Sequence, residues 1–246
     1  MMVARGAPQA TAAAILTLAA AAVSWIVVMA QTSAMTMSSG SSSLPAFLTM
    51  WVSMMAAMML PSTLPIVMRT ARAGSAKGNW PLTVGALLVV YLVVWATFGV
   101  VAHAIQLAAL TGLAVHVRQL IAGAAFAAAG VYSFIRFRQT CELRCRAMSS
   151  DPDPDGRPTV GVAARSGVLY GLNCVGCSAA LMIALLAVGI GSLIWMVLFT
   201  GVVLVYKVLP ANPRLEGAIG AILVVFGLWV MVLPSSVPAV LLPGGS

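Results

Sequence analysis

Seven separate apolar stretches, 11–30, 46–68, 81–102, 119–137, 167–187, 189–206 and 217–233, run through the chain without a single carboxylate. That feature restricts the fold more than any motif does. A bilayer-crossing helix needs ~20 mainly apolar residues, with a range of ~17–25, and each stretch falls in that range. The reading is an all-α, polytopic transmembrane bundle of about seven helices. Surface arithmetic agrees. Only 7% of the 246 residues are charged, against ~25% in soluble domains, too few to coat a soluble particle of this size.

The basic residues orient the bundle. With the N-terminus in the cytoplasm, twelve of the 13 Lys and Arg residues fall on the inner side: Arg5, Arg69, Arg72, Lys77, Arg136, Arg138, Arg144, Arg146, Arg157, Arg165, Lys207 and Arg214. Arg118 alone falls outside. Positive residues collect on the cytoplasmic side of membrane proteins, so the expected topology is N-in and C-out, in the cytoplasmic (inner) membrane. The first apolar run is longer than the ~7–15 residues of a signal-peptide core, which favours a retained anchor. The expected organisation is an anchor helix and Ser-rich outer loop over 1–45, a transmembrane bundle over 46–233, and a short outer tail over 234–246. The bundle carries a cytoplasmic loop over 138–165, and a Gly189-Ile190-Gly191 link makes a tight hairpin of its fifth and sixth helices.

The five acids, Glu142, Asp151, Asp153, Asp155 and Glu216, narrow the function further. Paired-carboxylate catalysis, an oxygen-rich Mg²⁺ or Ca²⁺ cage and an intramembrane carboxylate relay lack raw material. The run from Asp151 to Gly156 imitates the start of a calcium loop, but prolines occupy its alternate positions and no Glu follows at the twelfth. No glycine-rich phosphate loop occurs, so no nucleotide cofactor is expected. Ser62 and Ser178 have no His or Lys partner in view, and the balance is against an enzyme. The net charge of +8 comes from basic residues set singly between apolar runs. It fits a lipid bilayer as partner rather than nucleic acid. His103 and His116 read as interfacial packing residues, and Lys207 as a side chain that snorkels to the headgroups.

Chemistry concentrates in sulfur. Four cysteines form two pairs, Cys141/Cys145 in the expected cytoplasmic loop and Cys174/Cys177 one turn apart in the fifth run. Spacing alone leaves open whether these are ligands or small packing residues. The second run adds Met50, Met54, Met55, Met58 and Met59 within ten residues. Methionine is a flexible core filler, but beside cysteines its thioether is a soft donor that selects Cu(I) over harder ions. Pro61 and Pro65 remove backbone donors and predict a kink or break there. A broken intramembrane helix is tolerated where its backbone lines a cavity or site. Ala122, Gly123, Ala127 and Gly130 predict close helix packing in the fourth run.

These residues carry a resemblance. The stretch from Met50 to Ser62 (Met-Trp-x-x-Met-x-Ala-Ala-Met-Met-Leu-Pro-Ser) resembles the signature of a bacterial family of predicted metal-binding integral membrane proteins, a domain of unknown function. Arg138, Cys141, Cys145 and Arg146 are similar to its second motif, and Gly171, Cys174, Gly176, Cys177, Leu181 and Met182 to its third. The resemblance implies a metal role. The chain departs from the pattern at Ser178 and Ala179, where the family has Cys and Trp, at Tyr206-Lys207, where it has Glu-Lys, and at Ala147-Met148, where it has a proline. A missing thiol and a missing carboxylate thin out the implied site.

The function expected is binding of a soft metal, Cu(I), for handling or delivery to another membrane or copper protein. The metal ligands are drawn from Cys174, Cys177, Met54, Met55, Met58, Met59, Cys141 and Cys145. Two other classes compete: a structural or interaction subunit with no metal, and a membrane thiol oxidoreductase exchanging its two cysteine pairs. An uncompensated charge near mid-bilayer costs at least ~2.5–3.5 kcal/mol. Cu(I) with one thiolate and neutral thioethers sums to zero, whereas thioethers are poor zinc ligands. Equal distances from helix midpoints place Met58 level with Cys177, and Cys174 level with Leu60. The topology is tested by reporter fusions after residues 40, 77, 150 and 212, which should read outside, inside, inside and inside. A cytoplasmic C-terminus would overturn the scheme.

Overall fold

The apolar runs fold as helices. The computed structural model describes residues 7–37, 43–75, 79–109, 114–150, 159–188, 193–208 and 213–232. Among them every regular element is helical: α1 (Ala7–Met37), α2 (Leu44–Met59), a 3-10 turn (Pro61–Thr63), α3 (Leu64–Ser75), α4 (Trp80–Ala109), α5 (Val115–Tyr132), α6 (Arg136–Ser150), α7 (Val160–Val188), α8 (Leu193–Val208) and α9 (Pro213–Val232). Large side chains point outward, as in Ile15, Leu82, Val197, Ile222 and Val232. Apolar surface on this scale suits a lipid solvent, not water, and the chain is built as a membrane protein.

Four helices are long and apolar enough to cross outright: Ala7–Ser33, Trp80–Ala108, Val160–Val188 and Arg214–Val232. Two bent pairs bring the number up to six if each is one broken span, Leu44–Met59 with Pro61–Gly74 (48°) and His116–Tyr132 with Arg136–Ser150 (66°). The expected sixth span is the short apolar helix Leu193–Lys207. The expected outer loop is in part helix, since α1 continues to Met37. The segment expected as a cytoplasmic loop is largely α6 and the start of α7. Charge pairing explains this: Glu142 and Arg146 sit four residues apart in α6 and their side chains meet at 2.8 Å, which supports a helix. The link at 189–191, the acidic run 151–156 and the tail 234–246 lie outside the described residues.

The chain divides into two compact units, Met1–Gly99 with Glu142–Val175, and Val100–Cys141 with Gly176–Ser246. In the first, α1 lays its buried face of Ala10, Ala13, Thr17, Ala21 and Val28 inward. These residues recur at the helical repeat, and Ala21 packs with Ala56 and Leu60 against Leu88 and Leu92 of α4. In the second, aromatic rings of three helices interlock. Phe126 of α5 meets Trp195 of α8 at 4.8 Å and Phe226 of α9 at 5.1 Å between centroids.

The α5–α9 contact depends on missing side chains. A Cβ on Gly227 would lie 2.5 Å from the Ala127 amide nitrogen and 2.5 Å from the Gly123 carbonyl, and one on Gly130 would lie 2.5 Å from the Gly220 carbonyl. The obstacles are backbone, so relief requires the helices to separate. Gly201 of α8 has open space at the same point. Gly227→Ala should therefore destabilise by about 1–3 kcal/mol, while Gly201→Ala should be neutral or stabilising by up to about 1 kcal/mol. Unfolding of the two variants in detergent checks this, and equal effects would refute the packing.

Candidate functional site

Helix α2 turns its thioethers inward. Met54, Met55, Met58 and Met59 are all 0% exposed, and Met50 is buried with them. The N-terminal half is fixed by aromatic packing. Trp51 donates its indole N–H to the Trp95 carbonyl at 3.0 Å and stacks on Phe47 at 5.8 Å. The C-terminal end is fixed by a helix break. Pro61 has no N–H to give the Ala57 carbonyl, and the chain tightens into the 3-10 turn. Two hydroxyls turn back onto this segment, Ser62 donating to the Met59 carbonyl at 2.7 Å and Thr63 to the Leu60 carbonyl at 2.8 Å, which also accepts the Thr63 amide. The Ser62 carbonyl accepts from the Tyr170 hydroxyl of α7 at 3.1 Å.

Tyr170 gathers two thiols of the first unit. The Cys145 thiol of α6 donates to the Tyr170 carbonyl at 3.9 Å. In an α-helix that carbonyl is also the acceptor for the Cys174 N–H four residues on, so Cys145 lies against the turn that bears Cys174. The Tyr170 ring packs on Tyr91 of α4 at 5.8 Å between centroids, and the Tyr91 hydroxyl meets the Cys174 sulfur at 3.3 Å. Cys145 and Cys174 are 1% and 0% exposed. α6 is further tied to α3 by Arg69, whose guanidinium donates to the Met148 carbonyl.

Contacts along α4 set the depth of Cys174. Trp51 packs on Trp95 and Gly99, whereas Ala56 and Leu60 pack near Leu88 and Leu92, so α2 and α4 run antiparallel. Gly167 lies on Leu87 and Gly171 on Val94, so α4 and α7 run parallel. Cys174 is thereby level with the Trp51–Met54 turn of α2, not with Leu60 as the midpoint argument expects. The midpoints mislead because α7 begins at Val160, several residues before its apolar run, and the second apolar run bends where α2 gives way to Pro61–Gly74.

The other two thiols belong to the second unit. Cys141 presses on the backbone of α7 at Gly176, where a Cβ would come within 2.7 Å of its sulfur, so glycine is required for this approach. Cys177 is the next residue, and its sulfur meets the Ser178 hydroxyl at 3.5 Å. Tyr132 donates its hydroxyl to the Gly176 carbonyl. Arg138, 2% exposed, pairs with Glu216 of α9 at 3.1 Å and stands over the Tyr206 ring at 4.1 Å. Cys141 and Cys145 are therefore buried on a helix rather than exposed in an aqueous loop, and all four cysteines are thiols, not disulfides.

Each α6 thiol thus faces an α7 residue of its own unit, which sequence spacing does not reveal. The tyrosines that hold them, Tyr91, Tyr132 and Tyr170, also escape motif reading. A usable signal exists: the chain has only four tyrosines, and a phenol inside an apolar run needs a hydrogen-bond partner. Of the histidines, His103 is buried in α4 and His116 is exposed at the start of α5. Among the described residues no group of three or more His, Cys, Asp and Glu side chains converges as a metal cluster. A closed four-ligand zinc site of the structural type therefore has no framework in them. Sulfur donors from Cys and Met remain, and these suit Cu(I).

Residues 48–230 match the model of a family described as PpoB2, copper chaperone. No curated protein and no solved structure matches the chain. The matched segment contains the methionine run, the helix break, Tyr91, Tyr170 and all four cysteines. It narrows the metal role implied by the sequence motifs to copper handling. Spanning well over half of the sequence, it shows that the chain belongs to the PpoB2 copper chaperone family.

Proposed function

We propose that this protein is an integral-membrane chaperone that carries Cu(I) as cargo on sulfur and delivers it to a partner copper protein. The observation that carries the reading is the meeting of Cys145 and Cys174 at Tyr170, whose hydroxyl is tied to the break ending the methionine run. Cys174 serves as the thiolate, Cys145 as a second thiol, and Met54, Met55, Met58 and Met59 as the thioethers, with Met54 and Met55 the nearer in depth among these four. One thiolate with neutral thioethers leaves a Cu(I) site without net charge, which the low-dielectric setting favours. Cys141 and Cys177 form a further thiol set in the second unit. The protein sits in the cytoplasmic membrane with its N-terminus inside, so that α3, α6 and the start of α7 bring their arginines to the cytoplasmic face.

The test is copper retention by the purified full chain in detergent, measured by mass spectrometry after loading with Cu(I). Cys145→Ser/Cys174→Ser should lose most of the bound copper. Met54→Leu/Met55→Leu and Met58→Leu/Met59→Leu should each weaken retention, because leucine keeps volume at a cost under about 1.5 kcal/mol but offers no donor. Wild-type protein that binds no copper, or variants that all keep full occupancy, would reduce these residues to packing and leave a structural subunit as the reading.

A further inference from the structure

The contact between Tyr91 and Cys174 has no packing rationale of its own. Tyr91 is fully buried in the apolar interior of α4, where valine and leucine predominate and a phenylalanine would pack against the Tyr170 ring in the same tilted way. Its hydroxyl instead reaches the sulfur of a residue on another helix at 3.3 Å. Burying a phenol oxygen in such a setting is costly without a partner. Either group donates while Cys174 is a thiol. Once the sulfur is a metal-bound thiolate it has no proton, and only the tyrosine O–H can donate.

We infer that Tyr91 is a positioning residue for copper, holding the Cys174 sulfur in place and donating a hydrogen bond to it in the Cu(I)-bound state. The inference rests on the proposed Cu(I) function and deepens it. Partners that hydrogen-bond metal ligands fix their orientation and tune the metal, and their loss typically costs ~10–100-fold in affinity. The tilted packing of the Tyr91 and Tyr170 rings holds the phenol in turn, and the Tyr170 hydroxyl is anchored on the Ser62 carbonyl. The aim of Tyr91 at Cys174 is thereby set by the helix break itself.

The experiment is a Cu(I) competition titration of the full chain in detergent against a colorimetric chelator. It is run for wild type, Tyr91→Phe, Cys174→Ser and the double variant, with the thiolate-to-Cu(I) ultraviolet band recorded for each. Tyr91→Phe keeps the ring and should leave thermal unfolding close to wild type. It should weaken Cu(I) binding about tenfold to a hundredfold, as expected for a lost hydrogen bond to a charged group. It should also move the band to lower energy, because the sulfur lone pairs are no longer stabilised. In the Cys174→Ser background the same change should cost nothing further. Biosynthetic 3-fluorotyrosine, a stronger donor that preserves packing, should move the wild-type band the other way, and this holds whether or not the Phe variant folds. Tyr91→Phe binding as wild type, an equal loss in the Cys174→Ser background, or a band indifferent to both changes would each overturn the role of Tyr91 while leaving the chaperone reading intact. Wild-type protein that binds no Cu(I) would overturn both.

Discussion

A backbone carbonyl without a donor costs several kcal/mol inside hydrocarbon, where no water can replace the lost bond. The chain accepts that liability just after α2, at Pro61 and Pro65, and several groups of the first unit bond the carbonyls around this break. Ser62 and Thr63 turn their hydroxyls back onto the Met59 and Leu60 carbonyls, the Leu64 amide bonds the Pro61 carbonyl, and Tyr170 crosses from α7 to the Ser62 carbonyl. The last of these is the consequential one. A local repair made by serine or threonine leaves neighbouring helices uncommitted, whereas a repair made by a tyrosine of α7 fixes α7 relative to the break.

That coupling gives the methionine run a meaning that its composition lacks. Five buried thioethers are compatible with plain packing, because methionine fills irregular space well. Other buried residues of the same unit are not plain packing residues. A tyrosine hydroxyl touches a thiol, a second thiol shares a carbonyl with the same turn, and both tyrosines are fully buried. An apolar core built for stability alone does better with leucine and phenylalanine, which need no partners. The polar atoms retained here bond a thiol or the carbonyls of the helix break, and the chain belongs to a copper chaperone family.

Much of the fold was legible in the sequence, because hydropathy over long windows responds directly to the lipid solvent. The helical class, the apolar runs and the close approach of α5 at Gly123 and Gly130 all follow from residue type and spacing. The helix after α5 was not anticipated, for an identifiable reason. Hydropathy counts Arg138, Glu142 and Arg146 as solvated charges and returns a loop, but ion pairs neutralise them in place, Arg146 with Glu142 within α6 and Arg138 with Glu216 of α9. The helix so formed then buries Cys141 and Cys145. The grouping of the thiols was likewise out of reach. Spacing of three or four residues says that two cysteines share a face of one helix, and says nothing about which residue of another helix lies opposite. Gly176 against Cys141 and Tyr170 against Cys145 are tertiary facts.

The departures from the family-like motifs take on a different weight beside this geometry. Ser178 replaces an expected thiol next to Cys177, and its hydroxyl touches the Cys177 sulfur, so the position still addresses sulfur, as a hydrogen-bonding group instead of a ligand. Tyr206 replaces an expected carboxylate, and its ring lies under the Arg138 guanidinium, so a cation–π contact stands where a charge pair is otherwise expected. Both replacements lie in the second unit, and both remove a formal or potential negative charge. The Tyr91–Tyr170–Cys174–Cys145 arrangement of the first unit involves neither position. The chain thins its charged and thiol groups in one unit while keeping the sulfur and tyrosine network of the other. Neutral thioethers add soft donors without the electrostatic commitment that a second thiolate imposes in a medium of low dielectric.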